Sequence, residues 1–121
     1  MTEIKKTKQY DLEERTARFA ERCRDFIGKL PKNTANFEYA KQLIRSSGSQ
    51  AANYIEANES LSKKDFAHRV KICRKETKES CLWLRLCDLQ NLEDLERERN
   101  ELFQEAVELR KIFSAILSKS Q

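Results

Sequence analysis

A chain of 121 residues suits one domain, able to bury about two thirds of its unfolded surface without staples. Two glycines, one proline and 36% charged residues weigh against a turn-rich sheet protein and in favour of helices. The formal net charge of +4 admits a polyanionic partner without requiring one, and no apolar run approaches the ~20 residues that span a bilayer.

Residues 1–10 hold Lys5, Lys6 and Lys8 without an apolar period, which predicts a frayed basic arm. They contain no apolar h-region of a signal peptide. A single domain over 11–121 follows, with helices expected at about 11–30, 35–58, 63–90 and 95–119. In the first, Leu12, Thr16, Phe19, Cys23, Phe26 and Leu30 step by three and four, one buried face at helical period. Asp11 is the expected N-cap, and Pro31 stops the helix.

The second helix carries Phe37, Ala40, Leu43, Ile44, Ser47, Ala51, Tyr54 and Ile55 as its expected core line. Its middle is built of small residues: Ser46, Ser47, Gly48 and Ser49, then Ala51 and Ala52. A glycine inside a helix costs about 1 kcal/mol against alanine, which close packing should offset.

Ser62 with Asp65 three residues later resembles a capping box and opens the third helix. Phe66, Val70, Cys73, Thr77, Cys81, Leu84 and Asp88 form its expected core line. Ile72, Trp83 and Leu86 fall on a second apolar side, to be covered by a neighbouring helix or another subunit. The fourth helix brings Leu102, Ala106, Leu109, Phe113 and Ile116 inward. Short links between long helices predict an all-α, antiparallel up-down-up-down four-helix bundle.

Cys23, Cys73, Cys81 and Cys87 include no C-x-x-C pair, and His68 has no cysteine at zinc-finger spacing. Four free thiols in a reducing cytoplasm are expected, with no metal and no cofactor. A single histidine cannot supply the paired Glu-x-x-His motifs of a di-iron bundle. No Gly-rich loop precedes a helix to cradle phosphate. No nucleophile has a matched base, so the chain is expected not to be an enzyme.

Two surfaces remain as candidates for function. Arg45, Asn53 and Glu56 on the second helix and Glu76 and Glu79 on the third form a candidate polar network, because a covered carboxylate needs a partner. Lys64, Lys71, Lys78 and Arg85 recur every seven residues, with Arg74 and Lys75 close in angle. This basic stripe either binds RNA or DNA phosphate through non-specific charge or pairs with the acidic stretch from Glu93 to Glu108.

The run Arg45-Ser46-Ser47-Gly48-Ser49-Gln50-Ala51-Ala52-Asn53-Tyr54-Ile55-Glu56-Ala57, with Asp65-Phe66, Lys75-Glu76-Thr77-Lys78-Glu79 and Trp83-Leu84, resembles a known family. These are the four-helix-bundle proteins named for open reading frames in the intervening sequences of bacterial 23S rRNA genes. The family pattern R-S-x-x-S-x-x-A-N-x-x-E-A, D-F, K-E-x-x-E and W-L is matched throughout. At a position that pattern leaves open, Gln50 stands where members usually carry an apolar residue, and is expected to be exposed or differently packed.

The resemblance implies a homopentameric ring. It would place Ile72, Trp83 and Leu86 at the subunit interface and repeat the basic stripe around one axis. It also implies kinship with the accessory protein of diversity-generating retroelements, which partners a reverse transcriptase. The leading expectation is a non-enzymatic, self-assembling bundle that binds nucleic acid through Lys64, Lys71, Arg74, Lys75, Lys78 and Arg85. The alternative is a protein–protein adaptor for a polymerase or another partner.

Overall fold

The computed structural model describes residues 8–119 and contains four α-helices: α1 Lys8–Gly28, α2 Thr34–Asn58, α3 Lys63–Leu86 and α4 Glu93–Lys119. No strand occurs among the described residues. Residues 1–7 of the expected basic arm lie outside the described residues, and residues 8–10 belong to α1.

Each helix packs on the next in sequence and α4 packs on α1, with no diagonal pair among the described residues. The α2–α3 contact is the most extensive and the α1–α4 contact the sparsest. Along the α2–α3 and α1–α4 seams the contacts run in opposite numerical order, as antiparallel neighbours require: Arg45 meets Glu79 while Asn53 meets Arg69, and Arg15 meets Glu105 while Arg22 meets Glu101. The interior is lined by Phe19, Cys23 and Phe26 of α1, Leu43 and Tyr54 of α2, Val70, Cys73 and Leu84 of α3, and Leu102, Leu109 and Phe113 of α4. Tyr54 and Phe113 bring their rings to 6.1 Å across it.

Local chemistry sets the boundaries. Asn33 caps α2, its side chain accepting from Asn36 N at 2.8 Å. Ser62 caps α3, accepting from Asp65 N at 3.1 Å, which satisfies one of the orphan donors of a first turn. α3 ends at Leu86, earlier than its apolar period suggests. Beyond it, Asp88 Oδ1 accepts from Gln90 N at 3.1 Å, and Gln90 and Asn91 take left-handed φ of 53° and 59°, a conformation that cannot continue a helix. Asp88, expected on the α3 core line, is exposed in this turn.

Asn36 holds that turn in place. Its Nδ2 donates to Pro31 O at 2.8 Å and to Asp88 O at 2.9 Å, and its Oδ1 accepts from Asp88 N at 2.7 Å. One amide thereby joins the loop before α2 to the loop after α3.

The expected core line of α2 requires correction. Phe37, Ile44 and Ile55 are 63%, 49% and 49% exposed. The buried residues are Asn36, Leu43, Ser46, Ser47, Gln50, Tyr54 and Ala57. Small and amide side chains face α1 and α3 because they admit close approach and bond across the seam. Ser46 and Ser80 hydroxyls meet at 2.8 Å.

Gln50 is fully buried, contrary to the exposure expected as one of its two placements. Its Nε2 donates to Thr16 O at 2.8 Å and Ser47 O at 3.0 Å, while its Oε1 has no partner. Both accepting carbonyls lie inside helices, where the i+4 amide also bonds them. An apolar residue of similar volume would therefore leave no new orphan and would remove one costing about 1–3 kcal/mol. Gln50→Met is expected to raise stability by about 1 kcal/mol in urea unfolding. A loss of similar size would show that the amide bonds outweigh the unpaired oxygen.

The four cysteines are free and buried. Burial pushes the Cys23 and Cys73 thiols from the ordinary 9.0 up to about 12, and Cys87 up to about 11. It also raises Cys81, against the opposing charge of Arg110. The folded state then holds these protons more tightly than the unfolded chain. Their stabilisation is complete below pH 9 and is lost as pH rises through about 11 to 12. Urea midpoints should accordingly fall above pH 9, and thiol alkylation at pH 8 should require unfolding. Rapid alkylation of the native chain would contradict both.

Candidate nucleic-acid interface

α3 carries eight Lys or Arg against three Asp or Glu, and its cations divide into two groups. Lys64, Lys71, Lys78 and Arg85 are all exposed. At a seven-residue spacing they drift only ~20° per step around the helix, so they form one line. The line spans about 31 Å at 1.5 Å per residue. None of the four makes an ion pair among the described residues. Arg74 and Lys75 differ: Arg74 Nη1 donates to Ser114 Oγ on α4 at 3.3 Å, and Lys75 Nζ lies 3.8 Å from Glu76 Oε2.

Three carboxylates of α4 are engaged on the side of α1. Arg15 of α1 grips Glu105 with two hydrogen bonds, of 2.7 and 3.0 Å. Arg22 lies 3.6 Å from Glu101, and Lys29 lies 3.1 Å from Glu98. Three cations spaced by seven, Arg15 and Arg22 on α1 and Lys29 just past its end, thus descend a ladder of carboxylates on α4. Exposed pairs of this kind are each worth about 0–1 kcal/mol. They engage three of α4's seven carboxylates, Glu98, Glu101 and Glu105. Among the described residues, no ion pair joins Lys64, Lys71, Lys78 or Arg85 to α4 or to any other acid.

The polar network lies on the seam between α2 and α3. Arg45 Nη2 donates to Glu79 Oε1 at 3.2 Å, and Arg45 Nη1 reaches Glu76 Oε1 at 3.5 Å. Glu76 is nearly buried. Asn53 Oδ1 accepts from Arg69 Nη1 at 2.9 Å, and its Nδ2 donates to Ser49 O at 2.9 Å. Arg69 is a member that sequence reasoning missed; its position sixteen residues from Asn53 gives no local signal. Glu56 is exposed and its carboxylate pairs with nothing among the described residues. The Arg45–Glu76, Arg45–Glu79 and Arg69–Asn53 bonds cross between α2 and α3 and fix their register.

The second apolar side of α3 is divided. Trp83 is half-buried and stacks on Tyr39 of α2, ring centroids 6.1 Å apart, with its indole Nε1 lacking a partner. Ile72 is half-buried and Leu86 is exposed. His68 is exposed. Among the described residues no group of three or more His, Cys, Asp or Glu is placed to hold a metal ion, and no helix is long and apolar enough to cross a membrane.

A family model described as the 23S rRNA-intervening sequence protein matches residues 8–115, which takes in almost all of the four helices. No curated protein and no solved structure shows a significant match to the chain.

Proposed function

Because the chain belongs to the 23S rRNA-intervening sequence protein family, we propose that it is a non-enzymatic, self-assembling bundle whose α3 holds RNA or DNA phosphates without sequence specificity. The observation that carries this reading is the line of Lys64, Lys71, Lys78 and Arg85, exposed and without carboxylate partners among the described residues, while Glu98, Glu101 and Glu105 of α4 pair with Lys29, Arg22 and Arg15. Free cations on a rigid helix neutralise phosphate at little conformational cost beyond their own side chains. The stripe's length of about 31 Å corresponds to about nine steps along a strand of duplex at 3.4 Å each.

A ring of copies, as the family resemblance implies, would present several such lines to one polymer. Linking weak sites raises overall affinity without any new contact. The reading assigns no catalytic group and no cofactor. It is tested by measuring binding to a fluorescent duplex and to single-stranded RNA across a salt series, with solution mass measured in parallel. Steep salt dependence supports it. Binding that ignores salt, or no binding at low salt, would remove it.

A further inference from the structure

The outward face of α2 plays no part in the bundle or in the stripe. Phe37, Ile44 and Ile55 lie on one line at about 100° per residue, and between the two isoleucines the surface is made of Gly48, Ala51 and Ala52. A Cβ at Gly48 would meet nothing within 4 Å. No close approach within this chain offsets the cost of that glycine. An exposed, contiguous apolar line of this kind marks an interaction surface, and its flat centre would let another helix come near.

The charges beside the line identify the occupant. On one flank, the N-terminal half of α2 carries Lys41 and Arg45 with Glu38 beside Lys41, and the far end carries Glu56 in the last turn and Glu59 at the C-cap. Read in the opposite direction, this surface is its own complement. Lys41 falls opposite Glu59, Arg45 opposite Glu56, Ile44 opposite Ile55, and Phe37 opposite Leu61. The midpoints of all four pairs fall between residues 49 and 51. A two-fold axis normal to the helix keeps each flank on its own side, so the charges meet rather than pass one another. Leu61, in the link after α2, is 98% exposed and has no packing role within the chain.

We propose that the exposed face of α2 packs antiparallel against α2 of a second copy, about a two-fold axis at the level of residue 50. Gly48 and Ala51 form the crossing, the isoleucines close over it, and Lys41–Glu59 and Arg45–Glu56 pairs flank it twice. Arg45 keeps its in-chain carboxylates, Glu76 and Glu79, on its inner side. Lys41 gives up a loose 3.7 Å contact with Glu38 and its seat 4.6 Å above the Phe37 ring, which the facing Leu61 then covers. The contact goes beyond the nucleic-acid reading and shares no residue with the α3 stripe. It also differs from ring closure. A two-fold contact pairs one patch with itself, whereas a closed ring of five joins two different patches. The α2 contact therefore joins bundles, or whole rings, in twos.

The test uses single added thiols, since the four native ones are buried. Ala51→Cys sits beside the axis, where antiparallel helices at close approach bring equivalent Cα atoms within the roughly 4.4–6.8 Å that a disulfide spans. Lys41→Cys sits nine residues from the axis, and its two copies would lie about 27 Å apart. Mild oxidation should give a covalent dimer from Ala51→Cys and none from Lys41→Cys. Glu59→Lys should weaken self-association about tenfold by setting like charges opposite each other. Adding Lys41→Glu to that variant should restore it, with circular dichroism showing that every variant is folded. Light scattering should give an even number of copies. A monomer, a lone five-membered ring, equal cross-linking at both positions, or no rescue by the double reversal would overturn the proposal. Loss of nucleic-acid binding with the cross-link intact would instead count against the α3 reading alone.

Discussion

Replacing Lys64, Lys71, Lys78 and Arg85 together with glutamate is expected to abolish nucleic-acid binding and leave the bundle folded. The four side chains are exposed and take part in no ion pair among the described residues, so their reversal removes no contact that the fold uses. The effect on binding should be large because each phosphate contact releases a condensed counterion. With four contacts per copy, the slope of log affinity against log salt is about −3.6 on duplex DNA. A fourfold rise in salt then weakens binding by about 150-fold. A single Lys78→Ala change should flatten the slope by about 0.9. Reversal of Arg74 and Lys75 should matter less, because Arg74 is bonded to Ser114 and Lys75 lies beside Glu76. Fluorescence anisotropy across a salt series separates these outcomes. Native-like binding by the fourfold variant would eliminate the stripe as the interface.

Asn36→Ala is expected to be among the most damaging single changes in the chain, costing about 3 kcal/mol. Asn36 is 3% exposed and serves Pro31 O, Asp88 O and Asp88 N at once. Each such bond is worth about 1 kcal/mol net, and an amide N–H left unpaired away from water costs more. For a domain of this size the melting temperature should fall by about 10 °C. Asn36→Asp keeps the acceptor for Asp88 N but loses both donated bonds and sets a carboxylate against two carbonyls, so it should not rescue. Urea unfolding of the two variants decides the matter. A loss under about 1 kcal/mol for Asn36→Ala would show that water replaces the amide.

Most of α1, α3 and α4 could be read directly. Leu12, Thr16, Phe19, Cys23, Phe26 and Leu30 are all buried in the order their spacing gives. Ser62 caps α3 where the Ser–Asp spacing placed it. These features are local: apolar residues at helical period and a hydroxyl three residues before an amide leave the chain little alternative. α2 was read about a quarter-turn off. Leu43, Ser47 and Tyr54 are buried as expected, but hydrophobicity also put Phe37, Ile44 and Ile55 inside, whereas the bundle buries Asn36, Ser46 and Gln50. A pattern of apolar residues cannot reveal a face chosen for closeness and for bonds across the seam.

The family motif, the charge stripe on α3 and the four-helix architecture were determined by the sequence alone, because each depends on residue type and spacing along one helix. Tertiary structure alone decided which charges find partners. Arg15, Arg22 and Lys29 come from one end of the chain and Glu98, Glu101 and Glu105 from the other; only the closing of α1 onto α4 sets them together. Lys64, Lys71, Lys78 and Arg85, by contrast, meet no carboxylate among the described residues. The same folding turned the polar side of α2 inward and its isoleucines outward. A helix with two usable faces is settled by what its neighbours can approach and bond, a quantity that no single helix carries in its own sequence.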